Sequence, residues 1–130
     1  MRIRVCSALI AAAVVLAGCA SEVKRQPVEL AVAVPEIGKR YDLRDAVSFT
    51  LDSGYSRAIP ARTEFAVAGR VAQGLVFKPT QTVLTIEGRH MHEAYAVLQA
   101  DRLVGFYLPV EKAFSPLSQS VPFPLDQRKP

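Results

Sequence analysis

The sequence predicts an all-β protein, a small antiparallel β-barrel or sandwich of six to seven strands, for which an SH3-like barrel is one available form. Three observations carry this. Apolar residues recur every second position over most of the chain from Asp45 onward, the signature of strands with one buried face. Turn signals interrupt these runs at a spacing of roughly 8–12 residues, as in sandwiches and barrels. The runs are dominated by Val, Ile, Thr, Phe and Tyr, which suit a pleated surface, and no amphipathic stretch is long enough for a helical domain.

Val47, Phe49 and Leu51 alternate with Ser48, Thr50 and Asp52 in the first strand. Asp52-Ser53-Gly54 is a turn, and Tyr55 to Ile59 returns as a second strand ended by Pro60. Phe65, Val67, Gly69 and Val71 then alternate with Glu64, Ala66, Ala68 and Arg70. Gln73-Gly74 breaks that run, and Leu75-Val76-Phe77 forms a short strand before Pro79. Thr82 to Glu87, Met91 to Leu98 and Arg102 to Leu108 complete the set. A helix is conceivable around Tyr41 to Val47.

These strands place a single domain at residues 38–114 of the 130. A domain this small without disulfides must close its sheet well, which also hides the edges that otherwise invite aggregation. Residues 19–37 read as a tether, because Pro27 and Pro35 fall in a stretch without persistent period, although Val28 to Val34 could add an edge strand. Residues 115–130 read as a Pro-rich extended tail. It would either wrap Leu117, Phe123 and Leu125 over the domain's own core or serve as a ligand for a partner's groove.

The N-terminus is of another kind. Met1-Arg2-Ile3-Arg4 is positive, and Val5 to Ala17 runs without a charge, too short to span a bilayer and right for a signal-peptide core. Leu16-Ala17-Gly18-Cys19 resembles the lipobox of bacterial lipoproteins cleaved by the lipoprotein signal peptidase. The resemblance covers the first 20 or so residues only, and the mature domain resembles no family. It implies that 1–18 is a removable signal and that Cys19 becomes the lipidated first residue. With Ala20 rather than Asp after the cysteine, it further implies an outer-membrane protein whose domain faces the periplasm. Two or three acyl chains would make a stable anchor, since each buried CH₂ contributes about 0.8 kcal/mol. Cys6 leaves with the signal, so no intramolecular disulfide is expected.

Removing Arg2 and Arg4 from the 16 basic side chains leaves 14 against 12 acidic ones. So small an excess argues against nucleic acid as a partner. The chain contains no Gly-x-Ser-x-Gly elbow, no Gly-rich phosphate loop and no His-Glu-x-x-His. No enzymatic activity and no cofactor beyond the covalent lipid are expected. Asp42 and Asp45 precede the first strand, where solvation or capping explains them.

One polar cluster is a candidate metal site. Gly88-Arg89 suits a two-residue hairpin turn, a register that sets Glu87 opposite His90 and Thr85 opposite His92. Glu87, His90 and His92 would then share one face, with Leu84, Ile86, Met91, Tyr95 and also Glu93 on the inner one. A buried Glu93 needs Arg70, Arg89 or Arg102 as a partner; otherwise the loop is longer and the register different. A solvated Glu–His pair at an exposed tip explains the same residues without metal. Tyr55, Tyr95 and Tyr107 are candidates for lining a sugar- or peptide-binding groove, against the plainer reading that they belong to the core. The sequence as a whole therefore predicts an envelope lipoprotein with a non-enzymatic β domain that binds an envelope protein or peptidoglycan. The alternatives are an accessory subunit that uses its tail, or a metal- or ligand-binding lipoprotein.

Overall fold

The computed structural model describes residues 22–129. The expected signal, the lipobox and Cys19 lie outside them. Among the described residues there is no helix, and the chain forms antiparallel strands throughout. Alternation shapes them, interrupted by bulges between Val67 and Gly69 and between Leu103 and Gly105. In β3 (Val47–Thr50) Val47 and Phe49 are buried and Ser48 and Thr50 exposed. In β10 (Arg102–Leu108) Leu103, Phe106 and Leu108 face one apolar cluster while Val104 and Tyr107 face another.

Twelve strands are present rather than six or seven, in the described residues. The backbone is a meander of β2 (Arg40–Leu43), β5 (Glu64–Val71), β6 (Gly74–Pro79), β9 (Tyr95–Gln99), β10 and β11 (Ala113–Pro122). Two hairpins leave it and fold back. β3 and β4 (Ser56–Ile59) interrupt β2 and β5, and β7 (Thr85–Glu87) and β8 (Met91–Glu93) interrupt β6 and β9. Short β1 (Gln26–Pro27) pairs with β11 at one edge, and β12 (Leu125–Gln127) pairs with β2 at the other.

The eight-stranded ladder runs β1-β11-β10-β9-β6-β5-β2-β12 and does not close into a barrel. It nevertheless has to curl. Six ladder steps separate β11 from β12, about 29 Å if the sheet were flat. Only Phe123 and Pro124 join those two strands, a reach of at most about 11 Å. Phe123 fills the corner this creates. It is buried, it packs edge-on against Phe65 at 5.5 Å, and its N–H donates to the Asp101 carbonyl. The concave face and the two hairpins enclose the main core, where Phe49 meets Phe106 at 5.1 Å. On the opposite face Val71, Val76, Val97, Tyr107 and Phe114 form a second apolar layer, partly covered by Val28 and Leu30.

Three expectations are corrected, and the two readings of the C-terminal segment are decided. The helix considered over 41–47 is strand β2 and the turn before β3, because Tyr41 and Leu43 alternate with Arg40 and Asp42. Residues 19–37 are not a free tether along their described length. Val23 is buried in the main core, β1 pairs with β11, and Ala31 bridges to Arg70 of β5. The strand there is Gln26–Pro27 rather than a run within Val28 to Val34. Of the two readings of residues 115–130 the first holds: Leu117, Phe123 and Leu125 pack on the main core, and the segment, rather than lying as a plain extended tail, supplies most of β11 and all of β12. The prolines are tolerated because β1 covers only Ala113 and Phe114, leaving Pro116 and Pro122 a neighbour on one side alone.

Candidate functional site

The hairpin of the proposed metal cluster has a different register. Its strands pair Thr85 with Glu93, Ile86 with His92 and Glu87 with Met91, so Gly88, Arg89 and His90 form a three-residue loop. One extra loop residue sends every side chain of the second strand to the other face. Met91, expected inside, is exposed, and His92, expected outside, is buried beside Ile86. Glu87, His90 and His92 are therefore not brought together. Glu87 pairs with Arg57 at 2.9 Å and His90 stands exposed in the loop. Among the described residues no three His, Cys, Asp or Glu side chains converge on a point that would hold a metal ion.

His92 instead meets Glu111, in the turn between β10 and β11, with Nδ1 2.7 Å from Oε1. Burial pushes the Glu111 carboxyl up, but the His92 bond, its own backbone bond and the charges of His92 and Arg25 outweigh this and hold it below its usual value. The far atoms of the pair, His92 Nε2 and Glu111 Oε2, are buried without partners. This bridge ties strand β8 to the turn between β10 and β11. The sequence carries no sign of it, because the partners lie 19 residues apart in different hairpins.

A buried carboxylate was equally hidden. Glu64 falls on the outward side of the β5 alternation, yet it is buried and is reached by Thr80 Oγ1 at 2.7 Å, Arg128 at 2.6 Å and Arg40 at 3.3 Å. The Thr80 hydrogen bond lowers its pKa most, against desolvation, and the Arg128 and Arg40 charges lower it further. Arg128 also binds Asp42 at 2.8 Å, which locks the end of the chain onto β2 and β5.

Of the three tyrosines, two come together. Tyr95 and Tyr107 meet with tilted rings at 6.1 Å on the convex face, with the Lys78 ammonium 5.6 Å from the Tyr95 ring. Tyr107 is buried, which raises its phenol pKa, and so belongs to the second apolar layer. Tyr55 lies apart from them, exposed in the turn between β3 and β4.

A concavity of about 400 Å³ opens beside the turns β5–β6 and β9–β10. Arg70, Gln73, Gln99 and Asp101 supply its polar atoms, and Tyr41, Leu98 and Leu125 its apolar wall. Gln73 Oε1 is buried there without a partner. Amide and charged groups beside an aromatic and aliphatic wall can take a polar ligand with an apolar face, such as a sugar or an extended peptide. Sequence reasoning missed this site because its residues come from four separate segments that only the curl of the sheet assembles. Comparison with protein families, with curated proteins and with solved structures returned no match.

Proposed function

We propose that the protein is a lipid-anchored envelope lipoprotein, seated in the outer membrane and facing the periplasm, whose non-enzymatic β domain binds a protein or cell-wall partner. The observation that carries this is Leu16-Ala17-Gly18-Cys19 behind a positive start and a short uncharged run. In fold terms we read the curled sheet with its two stacked hairpins as a sandwich-like open barrel, of which an SH3-like barrel is a narrower version. The concavity lined by Arg70, Gln73, Gln99 and Asp101 is the place for the partner, because it sets the buried Gln73 Oε1 and three exposed polar side chains beside an apolar wall.

Replacement of the anchoring sulfur tests the first part. Cys19→Ser should abolish acyl labelling and move the protein out of the membrane fraction, and unchanged labelling would end the lipoprotein reading. For the second part, crosslinked capture from envelopes should weaken in Gln73→Leu and Asp101→Ala variants of the full chain. A rival use of residues 115–130 as a free ligand loses its support, because those residues pair within the protein's own sheet.

A further inference from the structure

We infer that the end of the domain that grips Val23 rests on the phospholipid headgroup layer, held there by the shortness of the chain behind it. The inference rests on the lipoprotein reading above and adds an orientation to it. Val23 is buried in the main core. It lines a small hollow with Leu51 and Ser53 of the turn between β3 and β4, Ile86 of β7, and Ser115 and Pro116 of β11. That turn is clamped from both sides. The Ser53 hydroxyl donates to the Glu87 carbonyl, and the Ser118 hydroxyl donates to the Asp52 carboxylate at 2.6 Å. The domain therefore takes hold of its N-terminal segment at a fixed place, four residues after Cys19.

Four extended residues reach at most about 14 Å. Acyl chains on Cys19 put its sulfur at the edge of the hydrocarbon, and the headgroup layer above that edge is about 5–8 Å thick. Val23 then lies no more than about 9 Å beyond the headgroups, less than the ~10 Å that separates two packed sheets. The residues around Val23 therefore meet the bilayer first. Their chemistry suits the contact. Lys24 stands exposed beside Val23, and Tyr55, 41% exposed, closes the clamped turn, its carbonyl accepting the Leu51 N–H at 2.8 Å. A cation and an amphipathic ring are the side chains that settle at headgroup level. The ligand concavity stands off from this end. Pro116 pairs with Gly105 of β10, and Asp101 at the concavity lies four residues before Gly105, about 13 Å at the rise of a strand. A ligand there is bound clear of the headgroups.

The test uses the full acylated protein in vesicles of phosphatidylcholine and phosphatidylglycerol that carry a lipid with a nitroxide on its headgroup. Lipidated Cys19 has no free thiol, so a fluorophore attaches to one new cysteine at Lys24→Cys, Tyr55→Cys or Ala72→Cys. All three positions are exposed, and Ala72 borders the concavity. Quenching at 24 and 55 should exceed that at 72 by about twofold or more. A flexible Gly-Ser spacer of about 20 residues between Ser21 and Glu22 spans about 25 Å and should bring 24 and 55 toward the level at 72. Equal quenching at all three positions in acyl-labelled protein without the spacer would overturn the inference and leave the lipoprotein reading standing. A difference that survives the spacer would overturn it too, since the short chain would then not be its cause. Absence of the acyl label would instead end the lipoprotein reading, and the inference with it.

Discussion

Glu64 and Glu111 show how one carboxylate can carry a distant part of the chain. Each is held below its ordinary pKa, Glu64 chiefly by the Thr80 hydrogen bond and Glu111 by His92 against the pull of burial. A carboxyl whose folded pKa is lowered contributes stability that is fully present above its unfolded value and is lost as pH falls through the folded one. The urea midpoint should therefore hold steady at neutral pH and decline below about pH 4.5. Glu64→Gln should lower the midpoint at pH 7, where Arg40 and Arg128 lose their shared anion. The gap between variant and wild type should close as the solution is acidified, because the wild-type carboxyl is then neutral too. A gap that widens in acid would show that Glu64 acts through packing rather than charge. The alternation of β5 assigned this residue to solvent because nothing local names Arg128 as its partner, 64 positions away.

At the scale of elements, Gly69 links β5 to the segment ahead of the domain. Its φ is +151°, a region side chains rarely adopt, and a Cβ there would stand 2.5 Å from the Ala31 carbonyl oxygen. Gly69→Ala should cost about 1–3 kcal/mol in urea unfolding. It should also speed amide exchange at Ala31 and Arg70, which bond each other across this contact. The elements that were legible in the sequence are those whose pattern is complete within themselves. Val47 and Phe49 declared β3, and the apolar run through Arg102 to Leu108 declared β10, although the bulge before Gly105 that puts Leu103 on the face of Phe106 and Leu108 was not legible. β11 was hidden by Pro116 and Pro122, which read as extended tail until β1 is seen to cover only two of its residues. The β7–β8 hairpin was located correctly but mispaired, since Gly88-Arg89 satisfies a two-residue turn; the one sign of the longer loop in the sequence was Glu93, which the two-residue register turns inward. The ligand concavity was not legible at all, because Tyr41, Gln73, Gln99 and Leu125 share no local pattern.

For the whole molecule, the decisive link is Phe123-Pro124. The ladder is open, so no hydrogen bonds join β11 to β12, yet both ends of the sheet must meet where these two residues pass. The sheet's curl thus depends on one buried ring and on the Arg128 pairs beyond it. Phe123→Ala leaves a cavity against Phe65 and should cost about 3–5 kcal/mol. For a domain this small that is a large share of a total stability of about 5–15 kcal/mol. The pattern of loss distinguishes a corner from an ordinary core residue. If Phe123 only fills space, exchange should quicken evenly across the main core. If it holds the curl, β12, β2 and the C-terminal half of β11 should open together and first, while β6, β9 and β10 keep their protection. The concavity beside Leu125 and Asp101 should then widen, and capture of a partner there should fail before the domain unfolds. Partner capture retained up to the unfolding midpoint of the Phe123→Ala protein would separate the binding site from the curl.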